Sequence, residues 1–202
     1  MPAETGIEAP SHPRPAVGAE SARRPLGKRS LFVGGAALVR AAAGRLAGGD
    51  RWSLVALSAC AAQGIAALIW KPRVVDLAAH EFRAWLFGSE GFAIWNGQWY
   101  GGHHAPAYSI LSPLLGWALG VRTALALAAL ASAALLAALL RLRYPPSVSR
   151  LGVLWAGVGC GTLIWTGRLP FAIGTALALA SLYAFARRRP GLALALGVLA
   201  PL

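Results

Sequence analysis

The sequence predicts an all-α, multi-pass transmembrane helical bundle with about four full spans, an incomplete fifth, and an outer loop containing juxtamembrane helices. Hydrophobic residues make up 57% of the 202 positions and charged residues only 13%, a balance unlike that of ordinary soluble domains. The apolar residues fall in long blocks, without the alternation or amphipathic spacing of soluble elements. Basic residues crowd the N-terminal stretch and the ends of those blocks, a pattern that sets topology and meets anionic headgroups. The formal charge of +12 therefore points to membrane lipids as partners and not to nucleic acid.

Residues 1–51 read as a basic, largely disordered cytoplasmic tail, poor in large apolar side chains. Leu31–Val39 is too short to span and, with Arg40 and Arg45, reads either as a short interfacial helix or as more of the tail. It lacks a small-residue cleavage site, so no signal peptide is expected. Trp52–Trp70 is the first span: nineteen residues rise about 28 Å against a hydrocarbon core of roughly 30 Å. A Trp at each end suits the interfacial aromatic belt.

Eight of the 19 basic residues precede or open this span, which puts the N-terminus in the cytoplasm and the loop of residues 71–122 outside. Ala105–Gly120 is apolar but short, and it carries Pro106 and Pro113. Reading it as an external juxtamembrane or re-entrant helix leaves 14 basic residues inside and five outside, the arrangement that the positive-inside rule prefers. The remaining spans are then about 123–140, 151–167, 171–186 and an incomplete 191–202. RLRYPPSVSR forms an inner loop and Arg168-Leu169-Pro170 a tight outer turn. Gly157 and Gly161 form a GxxxG, with Gly152 and Gly159 offering further small surfaces for close helix contact. The final apolar run is short of the roughly 20 residues a crossing needs, so the chain is expected to be the N-terminal part of a larger protein. Cys60 and Cys160 sit in apolar segments without metal spacing and read as small hydrophobic residues.

The outer loop concentrates the polar chemistry, with three of the four His and three of the seven acidic residues lying between Asp76 and Pro113. Asp76 reads as the N-cap of a helix over Leu77–Phe87 that stops at Gly88. Asp76, His80 and Arg83 then fall on one outward face, with Leu77, Ala78, Phe82, Trp85 and Leu86 forming an apolar side toward the bilayer. An acid, an imidazole and a guanidinium can serve as base, relay or metal ligand, and phosphate clamp. The same three residues also suit a cap, a solvated histidine and a snorkelling arginine. Gly101-Gly102 permits a sharp turn that presents His103 or His104 to a ligand. A divalent metal ion, if one is bound, would draw on Asp76 and His104. Trp95, Trp99, Tyr100 and Tyr108 suit either sugar stacking or the aromatic belt.

The order of these features carries a resemblance. D-x-x-x-H-x-x-R, then W-x-x-x-W-Y-G-G, P-x-Y-x-x-x-x-P-L, Gly-Val-Arg and an Ala/Leu span resembles the GT-C superfamily of polyprenyl-phosphate-sugar-dependent glycosyltransferases. It is most similar to bacterial GT-C-like membrane proteins labelled as 6-pyruvoyl-tetrahydropterin synthase-related. The resemblance covers residues 52–190. It implies an essential acid in the first outer loop, matched by Asp76, and juxtamembrane helices on the outer leaflet, matched by 105–120. Gly167-Arg168-Leu169-Pro170-Phe171 resembles the second outer loop. There is no D-x-D, and Glu81 is not spaced as a second acid.

The expectation is a GT-C-like glycosyltransferase of the cell membrane, transferring sugar from a polyprenyl-phosphate donor to an envelope glycan or lipid. Asp76 would be catalytic, and His80, Arg83, His103, His104 and Arg168 would bind substrate. The alternative is a non-catalytic envelope-assembly scaffold or transporter component. A transport route would be marked by ionisable groups within the spans, which offer only Ser58, Gln63, Ser132, Thr162 and Thr175.

Overall fold

The computed structural model describes residues 50–93, 95–97, 105–106 and 109–201. The expected tail and Leu31–Val39 lie outside them, apart from Asp50 and Arg51, as do His103 and His104. Among the described residues seven helices follow in order: α1 (Arg51–Trp70), α2 (Leu77–Glu90), α3 (Leu111–Leu119), α4 (Val121–Arg143), α5 (Pro146–Thr166), α6 (Leu169–Ala186) and α7 (Pro190–Leu199). A two-residue antiparallel pairing joins β1 (Trp95–Asn96) to β2 (Ala105–Pro106) between α2 and α3. The protein is all-α and multi-pass: α1, α4, α5 and α6 are each long and apolar enough to cross a membrane.

The short helices sit where the span count requires. Nine residues of α3 rise only about 14 Å, so it cannot cross, and Gly120, at φ +80°, breaks it from α4. The expected inner loop RLRYPPSVSR is corrected to a linker of Tyr144 and Pro145. α4 runs on to Arg143, and α5 starts at Pro146, the first-turn position where a missing N–H costs nothing. The expected outer turn moves back to Gly167 and Arg168, with Pro170 in the first turn of α6.

Small residues decide how the spans meet. A Cβ at Gly157 would overlap the Ala56 carbonyl, and one at Gly161 would overlap the Gln63 amide. The GxxxG is therefore the surface on which α1 and α5 approach. Gln63 then lies across α5, donating from Nε2 to the Val158 carbonyl at 3.3 Å and accepting from Trp165 Nε1 at 3.1 Å. Gly159 has open space around it and takes no part, whereas Gly152 lies near Leu140. Against this pair α4 lays a seam of alanines, with Ala129, Ala133 and Ala137 all fully buried. Two span hydroxyls are spent on their own helices, Ser132 donating to the Ala128 carbonyl and Thr175 to that of Phe171, whereas Ser181 of α6 donates to the Ala193 carbonyl of α7 at 2.6 Å.

One end of the bundle is tied by charge. Asp50 caps α1, accepting from the backbone N–H groups of Trp52 at 2.9 Å and Ser53 at 3.3 Å. Arg141, at the end of α4, grips the same carboxylate through Nε at 2.9 Å and Nη2 at 2.7 Å. Its Nη1 bonds the Ser149 hydroxyl of α5. Three helix ends are thus locked by one guanidinium. Burial alone would raise the Asp50 pKa, but the Ser53 hydroxyl, the two backbone donors and Arg141 together hold it below the usual carboxylate value.

Gly157→Leu is expected to force α1 and α5 apart and destabilise the fold by about 1–3 kcal/mol or more, while Gly159→Ala leaves it unchanged; thermal unfolding in detergent reads both. Asp50→Ala removes a cap and strands Arg141, at a cost of about 2 kcal/mol. Because the Asp50 pKa is depressed, its contribution is present above the unfolded value of 3.8 and is lost as pH falls through the folded one. The gap between wild type and Asp50→Ala should therefore narrow in strong acid.

Candidate functional site

At the other end the loops fold onto the bundle. Leu77 and Ala84 of α2 are buried in one cluster with Val121 and Leu125 of α4 and Leu169 of α6, and Leu86 of α2 is buried as well. Gly167 makes this packing possible. At φ +72° it turns α5 into α6, and a Cβ there would fall 3.0 Å from Val74 and 3.2 Å from the Leu77 nitrogen. The turn lies directly against the start of α2. Arg168, the next residue, consequently reaches Asp76, with Nε 2.7 Å from Oδ2.

This contact revises the expected role of Asp76 as a cap. It occupies the N-cap position, yet its backbone is αR and its side chain makes no cap bond. The carboxylate is spent on a residue 92 positions away. The helix also runs past Phe87 to Glu90: Gly88 lies inside it against Trp117, and Gly91, at φ +80°, ends it. Trp85 remains on an exposed apolar side, but Leu77 and Leu86 face the protein.

The outward Asp76–His80–Arg83 face is corrected as well. His80 is only 3% exposed, so it does not share the open surface of Asp76 and Arg168. Burial pushes its imidazole down to about 4, the Arg83 charge pushes the same way, and Asp76 opposes. It is a neutral histidine at physiological pH. Arg83 donates through Nη2 to the Ser109 carbonyl at 3.1 Å, which ties α2 to the approach to α3. Ser109 in turn caps that approach, accepting from the Ser112 N–H.

Sequence reasoning passed over one partnership here. Arg122, in the first turn of α4, donates to the Pro72 carbonyl at 3.0 Å and lies 3.5 Å from Glu81. Its signal was present as the charge of Gly-Val-Arg at the mouth of a span, where an arginine needs an acid or a carbonyl. With Asp76–Arg168 it makes two ion pairs that fasten α2 to the ends of three spans.

Among the described residues, no group of three or more His, Cys, Asp or Glu side chains comes together. Asp76 has a guanidinium beside it where a metal would need further acidic or imidazole donors, so the described residues do not fit a metal ion. The cavity at this end, bounded by Arg83, Phe87, Phe92 and Pro113, measures only about 10 Å³. A larger cavity of about 390 Å³ lies at the opposite end, beside Asp50 and Arg141. The Asp76–Arg168 pair is open chemistry on a surface: the two side chains are 38% and 66% exposed. Searches of family models, curated proteins and solved structures find no match to this chain.

His80 predicts a pH dependence whose sign is fixed. Its folded pKa lies below the unfolded 6.5, so the unfolded state takes up the proton first. Stability is full above pH 6.5 and is lost as pH falls toward 4, by on the order of 3 kcal/mol. Chemical unfolding in detergent across this window should show the loss in wild type and a flatter profile in His80→Gln.

Proposed function

We propose that the protein is a GT-C-like glycosyltransferase of the cell membrane, its N-terminus cytoplasmic and its Asp76–Arg168 end at the outer face. One observation supports this above others. Two residues assigned to the same reaction from separate loops, an acid and a phosphate-binding arginine, stand 2.7 Å apart. The excess of cations at the opposite end supports the orientation.

The donor is a polyprenyl-phosphate-linked sugar and the acceptor an envelope glycan or lipid hydroxyl. The hydroxyl oxygen attacks the anomeric carbon, and Asp76 takes the hydroxyl proton as general base. The bond from that carbon to the phosphate oxygen breaks, and the electron pair leaves with the polyprenyl phosphate. Arg168 uses Nε for Asp76, and its Nη groups make no bond to any described residue, which leaves them to receive the phosphate oxygens. Attack opposite the leaving group inverts the anomeric centre. Glu81 and Arg122 hold α2, and with it Asp76, at the rim.

Transfer of labelled sugar from a polyprenyl-phosphate donor in membranes carrying the protein tests the reading. Asp76→Asn keeps the shape and a hydrogen bond to Arg168 but removes the base. Transfer should fall about a hundredfold or more, with stability changed by less than about 1 kcal/mol, as for an exposed pair. Unchanged transfer would leave the pair as a structural tie and favour the non-catalytic scaffold.

A further inference from the structure

The GxxxG seam between α1 and α5 carries chemistry that packing does not use. Both cysteines of the chain lie along it as free thiols, Cys60 on α1 and Cys160 on α5. The two helices run parallel, since Arg141 ties the start of each to one end of the bundle through Asp50 and Ser149. Where they touch, a Cβ at Gly157 would fall only 2.7 Å from the Ala56 Cα. At about 1.5 Å per residue, Cys60 stands about 6 Å beyond that contact along α1 and Cys160 about 4.5 Å beyond it along α5. The two cysteines are therefore level to within about 1.5 Å.

They also share the interface. Ala56, Cys60 and Gln63 follow at i, i+4 and i+7 on one face of α1, and both Ala56 and Gln63 meet the glycines of α5. Cys160 lies between those glycines, three residues after Gly157 and one before Gly161. Cys60 is buried in a cluster with Leu57, Ala133 and Ile164, and Cys160 packs against the same cluster. The two thiols are close enough to feel each other's charge. A disulfide spans Cα atoms about 4.4–6.8 Å apart. Helices usually keep their axes about 8–10 Å apart, and it is the glycine contact that draws these two closer.

Access to the two differs. Cys60 is only 1% exposed, whereas Cys160 is partly buried. An oxidant that reaches a thiol at this depth has to dissolve in hydrocarbon, which excludes charged peptides and ions and admits a quinone.

We propose that Cys60 and Cys160 are a redox-active dithiol that a lipid-soluble quinone closes into a disulfide. Cys160 meets the oxidant and Cys60 completes the bond. Both S–H bonds break and one S–S bond forms. Two electrons and two protons pass to the quinone, which leaves as the quinol. The product is a covalent lock across the seam on which the bundle depends. Because α1 leads toward Asp76 and α5 into the turn of Arg168, the lock fixes the two spans behind that pair. The pairing of the thiols does not rest on the glycosyltransferase reading.

Membranes carrying the full chain test this. They are incubated with a fully ring-substituted benzoquinone, which forms no thioether, then denatured and treated with a maleimide-linked polyethylene glycol that shifts the band once per free thiol. Protein reduced with dithiothreitol should shift twice, quinone-treated protein should not shift, and renewed dithiothreitol should restore both shifts. Cys60→Ala and Cys160→Ala should each keep their remaining thiol through the same treatment. Two shifts persisting after the quinone would overturn the proposal, as would loss of the remaining thiol in either variant. A dithiothreitol-sensitive dimer would place the bond between copies and overturn it too. In detergent the oxidised protein should unfold at a higher temperature than the reduced one, because the bridge joins residues 100 positions apart and constrains the unfolded chain. Equal unfolding temperatures would overturn the lock.

Discussion

The bundle depends first on how closely α1 and α5 approach. Hydrocarbon solvates no polar group, and apolar side chains gain nothing by leaving it for one another, so spans associate through contact and internal hydrogen bonds. Gly157 and Gly161 supply the contact by bringing Ala56 and Gln63 against the α5 backbone. Gln63 supplies the bonds, satisfied at once by the Val158 carbonyl and the Trp165 indole. Once these helices are close, the fully buried alanines of α4 have a surface to complete, and α6 closes against α4 in turn. The two ends of the molecule inherit their geometry from that packing.

Those ends carry different charge. Among the described residues, Arg51, Arg141, Arg143, Arg150 and Arg187–Arg189 stand with Asp50 alone at one end. Lys71, Arg73, Arg83, Arg122 and Arg168 stand with Asp76, Glu81 and Glu90 at the other. The first end locks one arginine against Asp50 and leaves the rest without an acidic partner among the described residues. The second pairs Arg122 and Arg168 with acids and, in doing so, fastens a polar helix over the mouths of the spans. A carboxylate that is exposed yet held by a neighbouring guanidinium is suited to chemistry on a charged lipid, which is why the proposed reaction is placed there.

Much of the bundle was legible in the sequence because membrane spans announce themselves locally. Trp52–Trp70 became α1 within one residue, whereas of the helix expected over 105–120 only Leu111–Leu119 forms, too short to span, and Ala105–Pro106 pairs with β1 instead. The GxxxG was legible for the same reason, since its spacing is a property of one helix. The misread elements are those decided by distant partners. Asp76 followed by a helical run looks like a cap, and nothing local says that Arg168 will take its carboxylate. His80 shares a face with Asp76 and Arg83 by spacing, but its burial depends on how α2 lies against the bundle. The Asp50–Arg141–Ser149 lock joins residues up to 99 positions apart and leaves no trace in a local pattern.

A reaction at the outer face requires the Asp76–Arg168 end to face out, and accessibility to a membrane-impermeant maleimide measures that directly. Ser89, exposed at the end of α2, and Ser147, exposed in the first turn of α5, mark the two ends. Each is replaced singly, as Ser89→Cys or Ser147→Cys, in a Cys60→Ala, Cys160→Ala background. In intact cells Ser89→Cys should label and Ser147→Cys should label only after permeabilisation. The reverse pattern would place Asp76 and Arg168 in the cytoplasm and contradict a reaction at the outer face.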